Sequence, residues 1–152
     1  MIDILNKAEL FSRLGKLQEE DQAVFGAMSA QHMVEHLAFT VGFSNGNATQ
    51  QQHYPAEKEQ KIKAFIIDSD HKMPISFKSP VLPAEGLPEL LHGNLAQAID
   101  QLNMELQHFD HYFALNPSAK PVNPTMGALN YTEWLRFHNR HFTHHFKQFK
   151  PH

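Results

Sequence analysis

The segment that most constrains this chain is residues 130–149, NYTEWLRFHNRHFTHHFKQF. Its aromatic and aliphatic residues recur at three- and four-residue spacing, the signature of a helix with one side against a core. Taking Trp134 as origin and roughly 100° per residue, His138 falls at about +40°, His141 at about −20°, His145 at about +20° and Gln148 at about −40°. Leu135, Phe142, Phe146 and Phe149 lie beside this strip, so it faces or borders the interior. A core-facing strip normally carries Leu or Ile. Imidazoles there are desolvated at a free-energy cost unless their nitrogens find partners. The helix must therefore meet something that satisfies them.

Histidine is unusually frequent, with 12 residues among 152, and phenylalanine matches it at 12. Cysteine is absent, which excludes disulfides, thiolate nucleophiles and cysteine-ligated zinc or iron–sulfur centres. Metal chemistry in this chain must use nitrogen and oxygen ligands. Thirteen basic against sixteen acidic residues give a formal charge of −3, which offers nucleic acid little to hold. Lys58, Lys61 and Lys63 are interleaved with Glu57 and Glu59 and read as a solvated helix face. No apolar run has the length to cross a bilayer, and the first residues, MIDILNKAELF, lack a signal-peptide pattern. The expectation is a cytoplasmic protein that binds neither nucleic acid nor membrane. Helix faces can support a homodimer, but no exposed apolar patch is identifiable from the sequence.

The length suits one domain, residues 1–152, with one hydrophobic core. A first helix is predicted over 7–20, with Asn6 and Glu9 as a capping box and Leu10, Leu14 and Leu17 inward. Ser29 caps a second, running to about Ser44. A shorter helix follows Pro55. Pro74, Pro80 and Pro83 make 68–86 a connector, with an extended piece near Ile75–Phe77. Its length suggests a loop that packs over a site. Pro88 opens a helix reaching Tyr112 or Leu115, and Asn130 with Glu133 caps the last. The fold class is all-α, and four main helices with long crossovers suggest a four-helix bundle.

His141 and His145 stand one turn apart and can reach a common ion from one side. The HxxxH spacing is weak alone; beneath a tryptophan, flanked by phenylalanines and joined by His138, it is more specific. The third ligand should come from another helix. His36 is the best candidate, because it shares a face with Met33 and Thr40. His32, one turn earlier, is nearer the helix start and more solvated. His138 can orient a ligand or substrate rather than bind metal. His144 projects off the strip. His108 and His111 read as surface or packing residues. The plainer alternative for the whole set is a buried polar network without metal.

The stretch N123-P-T-M-G127-A-L-N-Y-T-E133-W134-L-R-F-H138-N-R-H141-F-T-H144-H145-F-K-Q148 resembles the C-terminal motif of the DinB/YfiT-like superfamily, in its uncharacterised bacterial branch. The block S29-A-Q-H-M-V-E-H36-L is similar to that family's first ligand-bearing helix. Together they span 29–149. One departure is Phe146-Lys147-Gln148, where many members have a small residue before the glutamine. The resemblance implies an up–down–down–up four-helix bundle with a long second crossover. It also implies a divalent ion, nickel or zinc, on His36, His141 and His145, with water or substrate completing the shell. Thiol transfer, or a related isomerisation or hydrolysis of a small-molecule substrate, would follow, with His138 or His32 shuttling a proton. The competing reading is a non-catalytic, metal-stabilised protein whose shell is closed by a fourth ligand such as Asp68, Asp70 or Glu85. Imidazole also suits copper and iron, so the residues alone leave the metal open.

Overall fold

The computed structural model describes residues 1–74 and 79–149. Five helices are joined to one two-residue ribbon: α1 Lys7–Leu14, α2 Ala30–Gly42, α3 Ala56–Ile66, α4 Leu95–Leu115, β1 Val122–Asn123, β2 Gly127–Ala128 and α5 Tyr131–Phe146. The domain is thus mostly helical. The extended piece expected near Ile75–Phe77 lies outside the described residues. No described helix is long and apolar enough to cross a membrane.

The core lies where α2, α4 and α5 meet. Met33, Leu37 and Val41 of α2, Leu102, Leu106 and Phe109 of α4, and Trp134 and Phe142 of α5 are all fully enclosed. They belong to one continuous apolar cluster. Each such side chain contributes about 1.5–3 kcal/mol by leaving water. The pairing of α2 with α4 is the most extensive. The N-terminal strand of chain is tied to α5. The Ile2 amide donates to Thr143 Oγ1 and the Ile4 amide to Asn139 Oδ1, both at 2.8 Å.

Local signals set most boundaries. Asn6, Ser29, Asn94 and Asn130 each accept a backbone N–H from the third residue beyond, as N-caps do. Asn130 and Glu133 complete a reciprocal capping box. Two expected boundaries are corrected. Helix α1 stops at Leu14, not at residue 20. Gly15 follows, and Lys16 and Leu17 bond back to Arg13 and Leu14 in tight turns. Glu19 is then free to accept the Leu95 amide at the start of α4, at 2.8 Å. Helix α4 itself begins at Leu95 rather than beside Pro88. The Leu91 amide donates to Glu35 Oε1, and Gln31 Nε2 donates to the His92 carbonyl. Those bonds to α2 hold 91–92 outside the helical ladder, and Asn94 starts it afresh.

One small two-stranded ribbon accompanies the helices. Val122 pairs with Ala128 and Asn123 with Gly127. Asn123 Oδ1 closes the turn by accepting from the Thr125 amide, the Thr125 hydroxyl and the Met126 amide. Gly127 has φ +76°, and a Cβ there would meet the Glu59 carboxylate at 3.0 Å. Backbone conformation and close approach both demand glycine at that point. The ribbon matters because it carries Asn123 and Thr125 to the wall of the cavity described next.

Candidate metal centre

Helix α5 presents His141 and His145 one turn apart, as their spacing requires. The core packing of Met33 and Leu37 turns α2 so that His36 faces them. His36 Nε2 and His145 Nε2 each lie 3.0 Å from His141 Nε2. The three ligand-capable nitrogens all fall within 4.8 Å of one another. The rings stand edge to face, with centroids 4.6–4.9 Å apart. His141 and His145 are buried and His36 is partly so. Phe137 stacks on His141 at 5.2 Å and 16°, which fixes that ring's plane.

Proton counting tests whether these residues fit a metal. Gln148 Nε2 donates to the Phe25 carbonyl, which turns Gln148 Oε1 towards His145. An amide oxygen only accepts, so His145 Nδ1, 2.7 Å away, must carry the proton. The Nε2 of a neutral His145 is then a bare lone pair. His141 Nε2 holds at most one proton but faces two neighbours. If it is protonated, that single N–H cannot satisfy both other lone pairs fully. If it is bare, it opposes His145's lone pair directly. Adding further protons is opposed by burial, which holds His36 at about 3 and His145 at about 4. His141 is also pushed well below its ordinary value, first by desolvation and then by its histidine neighbours. Three neutral imidazoles aimed at one point are mismatched as hydrogen-bond partners and matched as ligands to a divalent cation. Nδ1 of His36 and of His141 is buried without a hydrogen-bond partner among the described residues. Among the described residues, Gln148 is thus the side chain that hydrogen-bonds a ligand ring from behind.

All three rings line a cavity of about 410 Å³. Phe39 of α2, Phe43 just after it, Met28, Met73 and Val81 of the connector, and Leu87 form its apolar walls. Thr40, Asn123, Thr125 and Gln148 supply polar points. Described residues of the long connector therefore line the same cavity as the cluster. The volume suits a small molecule held by an apolar wall and a few polar groups.

The other sequence-derived candidates lie elsewhere. His138 is completely buried, with Nε2 2.7 Å from Ser44 Oγ and rings of Phe109, Trp134 and Phe137 around it. Burial holds it at about 3. It does not line the cavity, so it has no described route to a reacting group there. His32 bonds through Nδ1 to the Ser29 hydroxyl at 2.7 Å and also stands off the cavity wall. Asp68, Asp70 and Glu85 are exposed, and among the described residues no carboxylate joins the histidine group. His144, expected to project away, is half-buried against Phe25 and His145 and lines the cavity. Two contributors escape a reading of the sequence. Spacing puts Gln148 on the strip without giving it a role, and Ser44 reads only as a helix end. Gln148's position on the imidazole strip, three residues after His145, is the available signal.

No protein-family model, curated protein or solved structure matches the chain.

Proposed function

We propose that this chain holds a divalent ion, nickel or zinc, on Nε2 of His36, His141 and His145. We further propose that it is a metal-dependent thiol transferase or hydrolase acting on a small molecule in the adjoining cavity. The observation that carries this reading is the meeting of three neutral imidazole nitrogens from two helices at the wall of a cavity. A divalent ion there supplies Lewis acidity that lowers the pKa of a bound water or thiol. Gln148 keeps His145 in the tautomer whose Nε2 is free. Phe137 keeps the His141 ring from turning. The apolar walls contributed by α2 and the connector lower the local dielectric, which strengthens charge interactions beside them.

In the same reading α1, α2, α4 and α5 are the four helices of a DinB/YfiT-like, up–down–down–up bundle. Ligands on the second and last helices and a long segment before α4 support it. Three protein ligands leave positions for water and substrate, as catalytic sites do, whereas a structural site usually takes four.

The test starts with protein purified without a polyhistidine tag. Elemental analysis and metal titration should show about one divalent ion per chain, a stoichiometry that follows from one three-histidine site. The loaded protein is then assayed against thiol, ester, amide and epoxide panels. No uptake on titration removes the metal reading. An activity that survives complete metal removal removes the mechanism.

A further inference from the structure

Beside the histidine cluster, α5 places a guanidinium that forms no salt bridge among the described residues; Asp70 acts on its charge only from beyond ion-pair distance. Arg140 is only 8% exposed. Its Nη2 donates to the His71 carbonyl, and its Nε is buried with no partner. It takes part in no salt bridge among the described residues. A buried guanidinium normally persists only when it is paired, because an uncompensated charge in the interior is strongly unfavourable.

Arg140 lines a second cavity of about 440 Å³. Lys72 and Lys147 are on the same wall, with His71 and His144. Among the described residues the one carboxylate lining it, Asp70, is engaged by Arg136 at 3.3 Å. This corner of a chain with formal charge −3 is therefore locally cationic. His144 and Met73 line this cavity and the metal-side cavity alike, so the two adjoin.

We propose that Arg140, with Lys72 and Lys147, forms a binding site for a small oxyanion, a carboxylate or a phosphate group. Guanidinium is the side chain best shaped for such groups, because its fixed N–H donors match two oxygens at once. The two lysines add charge without geometric demand. Where the metal reading above holds, on which this role rests, the oxyanion is one end of the substrate. It anchors there while the reactive end reaches past His144 to the three imidazoles.

The experiment uses the full chain stripped of metal with EDTA, so that anion binding is read apart from metal binding. Thermal unfolding is followed against inorganic phosphate and, separately, succinate, with sodium chloride at matched ionic strength as control. Phosphate or succinate should raise Tm above the chloride control, and the one that acts identifies the headgroup. Arg140→Gln should weaken the apparent affinity at least tenfold. Because that change touches a buried position, the exposed pair Lys72→Gln/Lys147→Gln is measured as well and should weaken it severalfold. The site is overturned if neither anion differs from chloride, if folded Arg140→Gln keeps the full response, or if the double lysine variant does. Metal titration of the same preparations tests the histidine cluster separately.

Discussion

His138 and the trio of His36, His141 and His145 make an instructive pair of regions. His138, His141 and His145 share one strip of α5, and burial lowers the pKa of every member of both regions. Desolvation is the leading cause in each case. Yet His138 is sealed among aromatic rings with a hydroxyl partner, whereas the trio points its nitrogens at one another on a cavity wall. A depressed imidazole therefore reports burial in both places. Convergence and access are what distinguish a ligand set from an enclosed core histidine.

The sharpest way to break this contrast is to substitute one member from each side. His141→Ala should weaken metal affinity by more than about a hundredfold, since even outer partners of ligands are worth 10–100-fold. His138→Ala should leave metal stoichiometry intact and lower stability by about 3 kcal/mol, through the cavity left by the ring and the lost bond to Ser44 Oγ, which keeps its own bond to the Val41 carbonyl. Metal titration and chemical denaturation read the two effects. A folded His138→Ala that no longer takes up metal would merge the two regions and end the distinction.

Gln148→Ala comes next. It removes the acceptor that holds His145 Nδ1–H, and metal affinity should fall about 10–100-fold. Unchanged affinity would mean that the tautomer is set by something else.

The third prediction concerns pH in metal-free protein. His36 and His138 titrate at about 3 and His145 at about 4 when folded, against an ordinary value of 6.5. Below 6.5 the unfolded chain takes up protons that the native state refuses. Stability is therefore complete above 6.5 and declines as pH falls towards 3. Each group contributes a slope of up to about 1.4 kcal/mol per pH unit across that window. Denaturation midpoints between pH 7 and 4 check it; a flat profile contradicts burial of both regions. The smallest effect follows from the same values. Metal binding at pH 7 should release well under one proton, because the ligands are already neutral. Calorimetry in buffers of different ionisation enthalpy measures this, and release of a full proton would show that the trio is charged before the ion arrives.

The helices were legible because their signals are local. Caps at Asn6, Ser29 and Asn130 and the stripes of α2, α4 and α5 depend on residues within a turn or two. Where distant groups intervened, local reading failed. Glu35 and Gln31 hold residues 91–92 out of α4, and the Asn123 turn with Gly127 against Glu59 makes a ribbon that no alternating pattern announces. The candidate ligands were legible for a similar reason: helical spacing alone puts His141 and His145 on one side, and the neighbours of His36 single it out.

Local residue order is enough to specify a cysteine-free, mostly helical chain with imidazoles on a core-facing strip. Periodicity and composition act through the local backbone and need no partner. Tertiary structure alone decided which imidazoles meet and which are sealed. It also set Gln148 behind His145, brought described connector residues to the cavity wall, and left Arg140 buried outside any salt bridge among the described residues. Those outcomes depend on contacts between residues far apart in the chain, such as His36 with His141, and on the exclusion of water. No local spacing rule encodes either.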